Sequence, residues 1–312
     1  MRHFKQDSSI EIIEWIQSTL EREERLSFEV LSPDIGKFYS GALVEIDDEL
    51  YIYRSLKSWM DLANALECRM LLPQISSEHT IILTFEKLKH SNSFHYDSDS
   101  TEKYGTQSNF FAIDKSSEFA FSHYYYQALK ALNFDNVKRV INLGINRGDE
   151  FASIEELLSQ EAFDTKEFVG IDYSKSAIEY AKNRFANNQN MHFYTHDIRA
   201  LEELELGEFD LLVTVATLQS ISSNFKKLFM HLVKELLSHN SAIIMGFPNS
   251  RWMDGELIYG AKVPHYNASE LSTVIKDIYF CKKYLQQHKY RVQIIGKEYL
   301  FLVASKIGTR DN

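Results

Sequence analysis

Four places in the sequence put ligand-binding chemistry at the ends of apolar runs. The stretch VINLGINRG (140–148) carries Asn142 and two glycines, Gly144 and Gly148, four residues apart. Such a turn lets backbone approach a ligand with no Cβ in the way, and a helix beginning after it presents free N–H groups to a carboxylate or phosphate. Asp172 closes EFVGID, 24 residues after Gly148, where a carboxylate suits acceptance from both hydroxyls of a ribose. Asp197 closes MHFYTHD, where it can accept from an adenine amino group. FDLLVTVAT (209–217) ends near Thr214 to Gln219, which line the floor of the same pocket.

An open parallel sheet brings such strand ends together. After residue 115 amphipathic helices alternate with continuous apolar strands: helices over 117–132, 148–160, 174–188 and 224–240, strands over 139–144, 167–172, 191–197, 209–217 and 241–247. This alternation predicts a doubly wound, mostly parallel α/β sheet. Ligands of such sheets bind outside the carboxyl ends of the strands, where the strand order reverses. YRVQIIG and EYLFLVASK predict a closing antiparallel hairpin around Gly296.

The first third reads differently. Residues 9–25 predict a helix with Ile10, Ile13, Ile16 and Leu20 on its apolar face. Short strands between 26 and 54, a helix over 56–70 and a strand over 80–88 complete a small α+β unit. Residues 89–109 are polar and read as a linker. The expected division is an accessory or substrate domain over 1–110 and a ligand-binding domain over 111–312.

Composition narrows the function. The 312 residues carry a net charge of −10. Residues 1–110 hold 11 Lys/Arg against 19 Asp/Glu, −8; residues 111–312 hold 23 against 25, −2. An acidic whole repels phosphate backbones, so general nucleic-acid binding is disfavoured, although residues 276–310 hold eight Lys/Arg against two Asp/Glu, a local +6. Two cysteines, Cys68 and Cys281, without metal-ligand spacing read as reduced buried thiols, which disfavours a disulfide or a zinc site, and no metal is expected. No apolar run reaches the ~18 residues of a membrane span, and the first residues lack the apolar segment of a secretory signal. A cytoplasmic, soluble protein with no membrane partner is expected.

From about residue 117 to 306 the chain resembles the class I S-adenosylmethionine-dependent methyltransferases. NLGINRG matches the family's glycine motif, Asp172 its acid after the second strand, Asp197 its third-strand acid, and Phe209-Asp210-Leu211-Leu212 its fourth strand. The resemblance implies a Rossmann-like seven-stranded sheet and S-adenosyl-L-methionine as cofactor. It also implies cofactor contacts from Asn142, Gly144, Asn146, Gly148, Asp172, Tyr173 (beside the adenine), Asp197, Ile198 and Thr214. Two positions depart from the family pattern: its acid before the first glycine is Asn142, and its middle glycine is Asn146. Asn142 can accept from the cofactor's ammonium without charge assistance, and Asp149 or Glu150 are candidates to supply the missing charge.

A nicotinamide cofactor is disfavoured, because G-x-x-x-G lacks the second backbone contact of G-x-G-x-x-G. TVATLQS replaces the (N/D)PP(Y/F) of base-amino methylation, and neither cysteine closes a strand, which disfavours cysteine attack on a pyrimidine. The expected acceptor is therefore a small molecule, near Tyr124, Tyr126, Gln219, Arg251 and Trp252. An RNA acceptor such as tRNA, held by Lys282, Lys283, Lys289 and Arg291, is the runner-up; a non-catalytic cofactor-binding module is the third reading. A homodimer is left open, and no catalytic base is assigned.

Overall fold

A computed structural model describes residues 1–89, 102–220, 225–261 and 270–307. Its contacts divide the chain into two units, Met1–Ser93 with Trp252–Tyr259, and Phe94–Arg251 with Gly260–Asn312. Of the linker expected over 89–109, residues 90–101 lie outside the described residues.

The first unit opens with β1 (Arg2–His3) and α1 (Ser9–Leu20). Ser8 and Glu11 form a reciprocal capping box that fixes the start of α1. The buried face of α1 is Ile12, Ile16 and Leu20, an i, i+4, i+8 stripe, while Ile10 is 63% exposed. The expected face holds at Ile16 and Leu20 and is corrected at Ile10; Ile12 takes its place, with Trp15 packed against the same core. There follow β2 (Arg25–Leu31), β3 (Leu43–Ile46), β4 (Glu49–Ile52), α2 (Leu56–Ala65), β5 (Cys68–Met70), β6 (Gln74–Ile75) and β7 (Thr80–Lys87). β2 and β7 pair antiparallel with Phe28 opposite Leu83, and the sheet runs β1-β2-β7-β5 with β6 also on β7. α2 is shorter than expected, since Cys68–Met70 leaves the helix to pair with β7.

The second unit holds β8 (Arg139–Leu143), β9 (Glu167–Asp172), β10 (Met191–Thr195), β11 (Phe209–Val215) and β12 (Leu237–Pro248). Their helices are α3 (Phe119–Lys130), α4 (Asp149–Leu157), α5 (Gln160–Asp164), α6 (Lys175–Arg184) and α7 (Phe225–Glu235). β13 (Ser250–Met253), β14 (Glu256–Tyr259), α8 (Ser272–Gln287), β15 (Tyr290–Gly296) and β16 (Tyr299–Lys306) complete the chain. The sheet order is β10-β9-β8-β11-β12-β16-β15, with β16 antiparallel to β12 and β15 antiparallel to β16. The expected doubly wound sheet and closing hairpin are both present.

Alternate residues of each central strand feed two cores. Val140, Leu211 and Val213 face α3, α4 and α6, whereas Ile141, Leu143 and Leu212 face α7 and α8. The last turn expected for the fourth helix belongs to β12 instead, where Leu237 pairs with Phe209. β13 and β14 form a two-stranded ribbon, and its Met253 and Ile258, which belong to the first unit, bury with Leu88. α8 was hidden in the sequence by its lysines; it buries Ile278, Cys281 and Leu285. Both cysteines are free and buried, and burial pushes the Cys68 thiol up to about 11.

Candidate cofactor site

β8 is flanked by β9 on one side and β11 on the other, so the strand order reverses at its carboxyl end. The glycine turn occupies that point. Gly144 and Gly148 take left-handed backbone, φ +77° and +83°. A Cβ on Gly144 would stand 2.0 Å from Thr217 Oγ1, and one on Gly148 would stand 2.4 Å from a ring atom of Phe185. Asn146 is left-handed too, φ 44°, which explains how Asn replaces a glycine there.

Asp172 ties this turn to the next helix. Its Oδ2 accepts from the Asn146 N–H at 2.9 Å and its Oδ1 from the Ser174 N–H at 2.9 Å. Burial pushes its carboxyl above the ordinary aspartate value, against the pull of these N–H groups. The Tyr173 N–H also acts on this carboxylate.

The residues around Asn142 form a buried polar network. Asn142 Nδ2 lies 3.4 Å from Glu150 Oε2, and Glu150 Oε1 accepts from Lys115 Nζ at 2.8 Å. Asn142 and Glu150 are wholly buried, and Asn142 Oδ1 has no donor among the described residues. Burial works against the Lys115 charge, yet Glu150 beside it holds the ammonium above its ordinary value. Asp149, the other candidate for the missing charge, faces Arg184 Nη1 at 2.6 Å; burial and then the neighbouring Glu150 push its carboxyl up.

Residues 102–118 cross this region, which the sequence did not reveal. The Glu102 carboxylate accepts from Ser174 Oγ at 2.9 Å, from the Lys175 N–H at 3.0 Å and from Ser176 Oγ, capping α6. Tyr104 O accepts from Asn146 Nδ2 at 2.8 Å, and Phe111 O from Arg147 Nη1 at 3.2 Å.

Residues 135–294, about half of the chain, match the family model described as a methyltransferase domain. The chain belongs to the class I S-adenosylmethionine-dependent methyltransferases. No curated protein matches the sequence. Among solved structures, a SAM-dependent methyltransferase from Aquifex aeolicus is 14% identical, covers 67% of this chain and 98% of its own, and has a TM-score of 0.46. The N-methyltransferase NodS from Bradyrhizobium japonicum, solved with S-adenosyl-L-homocysteine, is 15% identical over 64% and 95%, TM-score 0.45. The plantazolicin methyltransferase BpumL, also with that product, is 15% identical over 67% and 94%, TM-score 0.47. The membership rests on the sequence match, not on these likenesses.

The remaining sequence-derived positions of the methyltransferase separate. Asp197 caps the short 3-10 helix after β10, and Arg199 grips its two oxygens at 2.5–3.0 Å and holds its carboxyl below the ordinary value. Ile198 is buried behind it and Tyr173 is 53% exposed. Thr214 is buried with no partner for Oγ1; it shares the strand face of Leu212, toward α7 and α8, whereas Asn142 shares the face of Val140.

Gln219 follows β11 on a 3-10 turn; its Nε2 lies 3.5 Å from Gly246 O and its Oε1 has no partner among the described residues. The same turn brings Thr217 against Gly144, and Ala216 just before it is left-handed, φ 59°. Non-glycine strain of this kind gathers at functional sites, and no composition or periodicity signals it. On α3, Tyr124 packs partly into the core while Tyr126 is 45% exposed under Lys130. Arg251 Nη1 donates to Gly260 O at 2.9 Å in the second unit, and Trp252 falls in the first. Among the described residues no helix is long and apolar enough to cross a membrane.

Proposed function

We propose that the enzyme transfers the methyl group of S-adenosylmethionine to a small-molecule acceptor, with the cofactor held at the β8 turn. The observation that carries this reading is the partly buried Asp172 carboxylate at the strand-order reversal, whose two oxygens hold the Asn146 and Ser174 N–H groups at the edge of the turn. The donor set suits the cofactor. Asp172 accepts the two ribose hydroxyls, and the absence of a Cβ at Gly144 and Gly148 lets the left-handed turn sit close against Thr217 and Phe185. Asn142 Oδ1, buried without a donor, takes an N–H from the amino-acid end, with the Glu150 carboxylate behind it. Tyr173 lies against the adenine; the part assigned to Asp197 is reached past its bond to Arg199.

When bound, S-adenosylmethionine supplies a methyl already activated on a sulfonium. The chain's own task is then alignment and exclusion of water. Gln219 Oε1, which lacks a donor, orients an acceptor N–H or O–H, and a base is required only where the acceptor is protonated at neutral pH. Tyr124, Tyr126, Arg251 and Trp252 stay as candidates on the acceptor side. The overall charge of −10 favours a small acceptor over a polyanion.

The test is transfer of labelled methyl from S-adenosylmethionine in the presence of a low-molecular-weight extract or of total tRNA. Label in the small-molecule fraction is the expected result. Label in tRNA alone would give the site to the runner-up acceptor, held by Lys282, Lys283, Lys289 and Arg291. Cofactor binding with transfer to neither pool would favour a non-catalytic module.

A further inference from the structure

In the first unit, α1 and α2 border a cleft of about 180 Å³. Ile12, Ile13, Leu62 and Trp59 make its walls apolar, and Arg54 lines one side. Arg54 is half-buried, and burial lowers the affinity of its guanidinium for a proton. Its Nη2 donates to the backbone carbonyl of Asp7 at 2.6 Å, and its guanidinium carbon lies 5.8 Å from the Trp59 ring centre. Among the described residues no carboxylate hydrogen-bonds it, and the Asp7 charge nearby only partly offsets its burial. The nearby Asp7 carboxylate instead accepts from Arg2 at 2.8 Å and from the Lys5 N–H at 3.1 Å. Trp59 is itself buried, and its indole N–H has no acceptor.

A half-buried guanidinium with one neutral acceptor is a standing desolvation cost that a bound anion would relieve. The chemistry of that anion follows from the surroundings. Arginine's planar fork matches a carboxylate through two parallel bonds. A single cation in a segment of net −8 disfavours a multiply charged ligand. At about 30 Å³ per water-sized group, the cleft has room for about six such groups.

We propose that the first unit binds an aliphatic monocarboxylate of about six carbons in all, its carboxylate on Arg54 and its tail between Ile12, Ile13, Leu62 and Trp59. This site lies outside the methyl-transfer machinery and does not depend on it.

The test titrates the full chain with hexanoate, followed by calorimetry and tryptophan fluorescence, with hexylamine and hexyl phosphate as comparators. Saturable binding of hexanoate, weaker binding of hexyl phosphate and none of hexylamine are expected. Arg54→Gln should weaken hexanoate at least tenfold and Arg54→Lys less, since Lys keeps the charge but not the fork. Ile13→Phe narrows the cleft without touching Arg54 and should abolish binding even if Arg54→Gln disturbs the fold. S-adenosylmethionine affinity should stay unchanged in all three variants. No saturable hexanoate binding by the wild type, equal binding of hexylamine, or undiminished binding by both Arg54→Gln and Ile13→Phe would overturn the proposal and leave Arg54 as a structural anchor for Asp7.

Discussion

Asn142 Nδ2 stands 3.4 Å from Glu150 Oε2, so a buried carboxylate from the first turn of the following helix lies beside the position where the family's first strand carries its acid. The other oxygen of Glu150 is bound to Lys115, which makes the network close to neutral as a whole. Restoring the family acid with Asn142→Asp would face two carboxylates across that distance with one lysine between them, and one would be driven to protonate. S-adenosylmethionine affinity, measured by calorimetry, should fall about tenfold. A gain in affinity would mean that Glu150 does not serve as the substitute acid.

Glu150→Gln should destabilise the fold as well. The pair is buried, with side-chain exposures of 12% for Lys115 and 1% for Glu150. Removing one partner leaves the other buried and uncompensated, a loss of about 3 kcal/mol in urea unfolding. Lys115→Met should cost a similar amount, and the double variant should recover most of the loss, as a coupled pair requires. Equal stability of Glu150→Gln and wild type would remove the ion pair from the account.

How much of this could be read from the sequence depended on the range of the interaction. Asp172 and the Gly144–Gly148 turn were legible because each closes an uninterrupted apolar strand, and strand ends in a parallel sheet have a fixed address. The partnership of Lys115 with Glu150 was not, since 35 residues separate them and only the fold brings them together. The capping of α6 by Glu102 was hidden for the same reason, inside a stretch whose polarity reads as linker. Ile10 was misjudged because threefold and fourfold spacings both mark a helix face, and only packing decides between them. The first turn of β12 was lost to the helix before it, as Leu236 and Leu237 fit either pattern until Phe209 is placed beside Leu237.

Gly144→Ala tests the turn itself. The added Cβ meets the whole Thr217 side chain, its Oγ1 at 2.0 Å, on a backbone of φ +77°. S-adenosylmethionine affinity should drop at least about tenfold, as a displacement of the turn by even an ångström misplaces its ligand contacts. Adding Thr217→Ala should restore only part of it, because the left-handed backbone still costs about 1–2 kcal/mol with a Cβ. Full restoration would show that space, not backbone conformation, selects glycine here.

The pH dependence of binding follows from the raised Asp172 carboxyl. Ligand hydroxyls need the ionised form, so S-adenosylmethionine affinity should fall on acidification at a pH above 3.8, the ordinary aspartate value. The unliganded fold has the opposite sign: with the folded value raised, the stability contributed by Asp172 is present below 3.8 and lost as pH rises through the folded value. Calorimetry at intervals between about pH 4 and 8 should therefore show binding rising where this contribution to stability declines. Affinity that stays flat down to the ordinary aspartate range would contradict the assignment.

The most direct test of the cofactor site is a calorimetric titration of S-adenosylmethionine into the wild type and into Asp172→Asn. The variant keeps the side chain's shape but loses the charge and one of the two acceptor oxygens that serve Asn146, Ser174 and the ligand. The account predicts one-to-one binding by the wild type and a loss of about 2–4 kcal/mol in the variant, roughly 30- to 1000-fold in affinity. Thermal stability should fall too, because Asp172 also joins the glycine turn to the start of α6. No binding by the wild type, or equal affinity in the folded variant, would contradict a cofactor site at the end of β9.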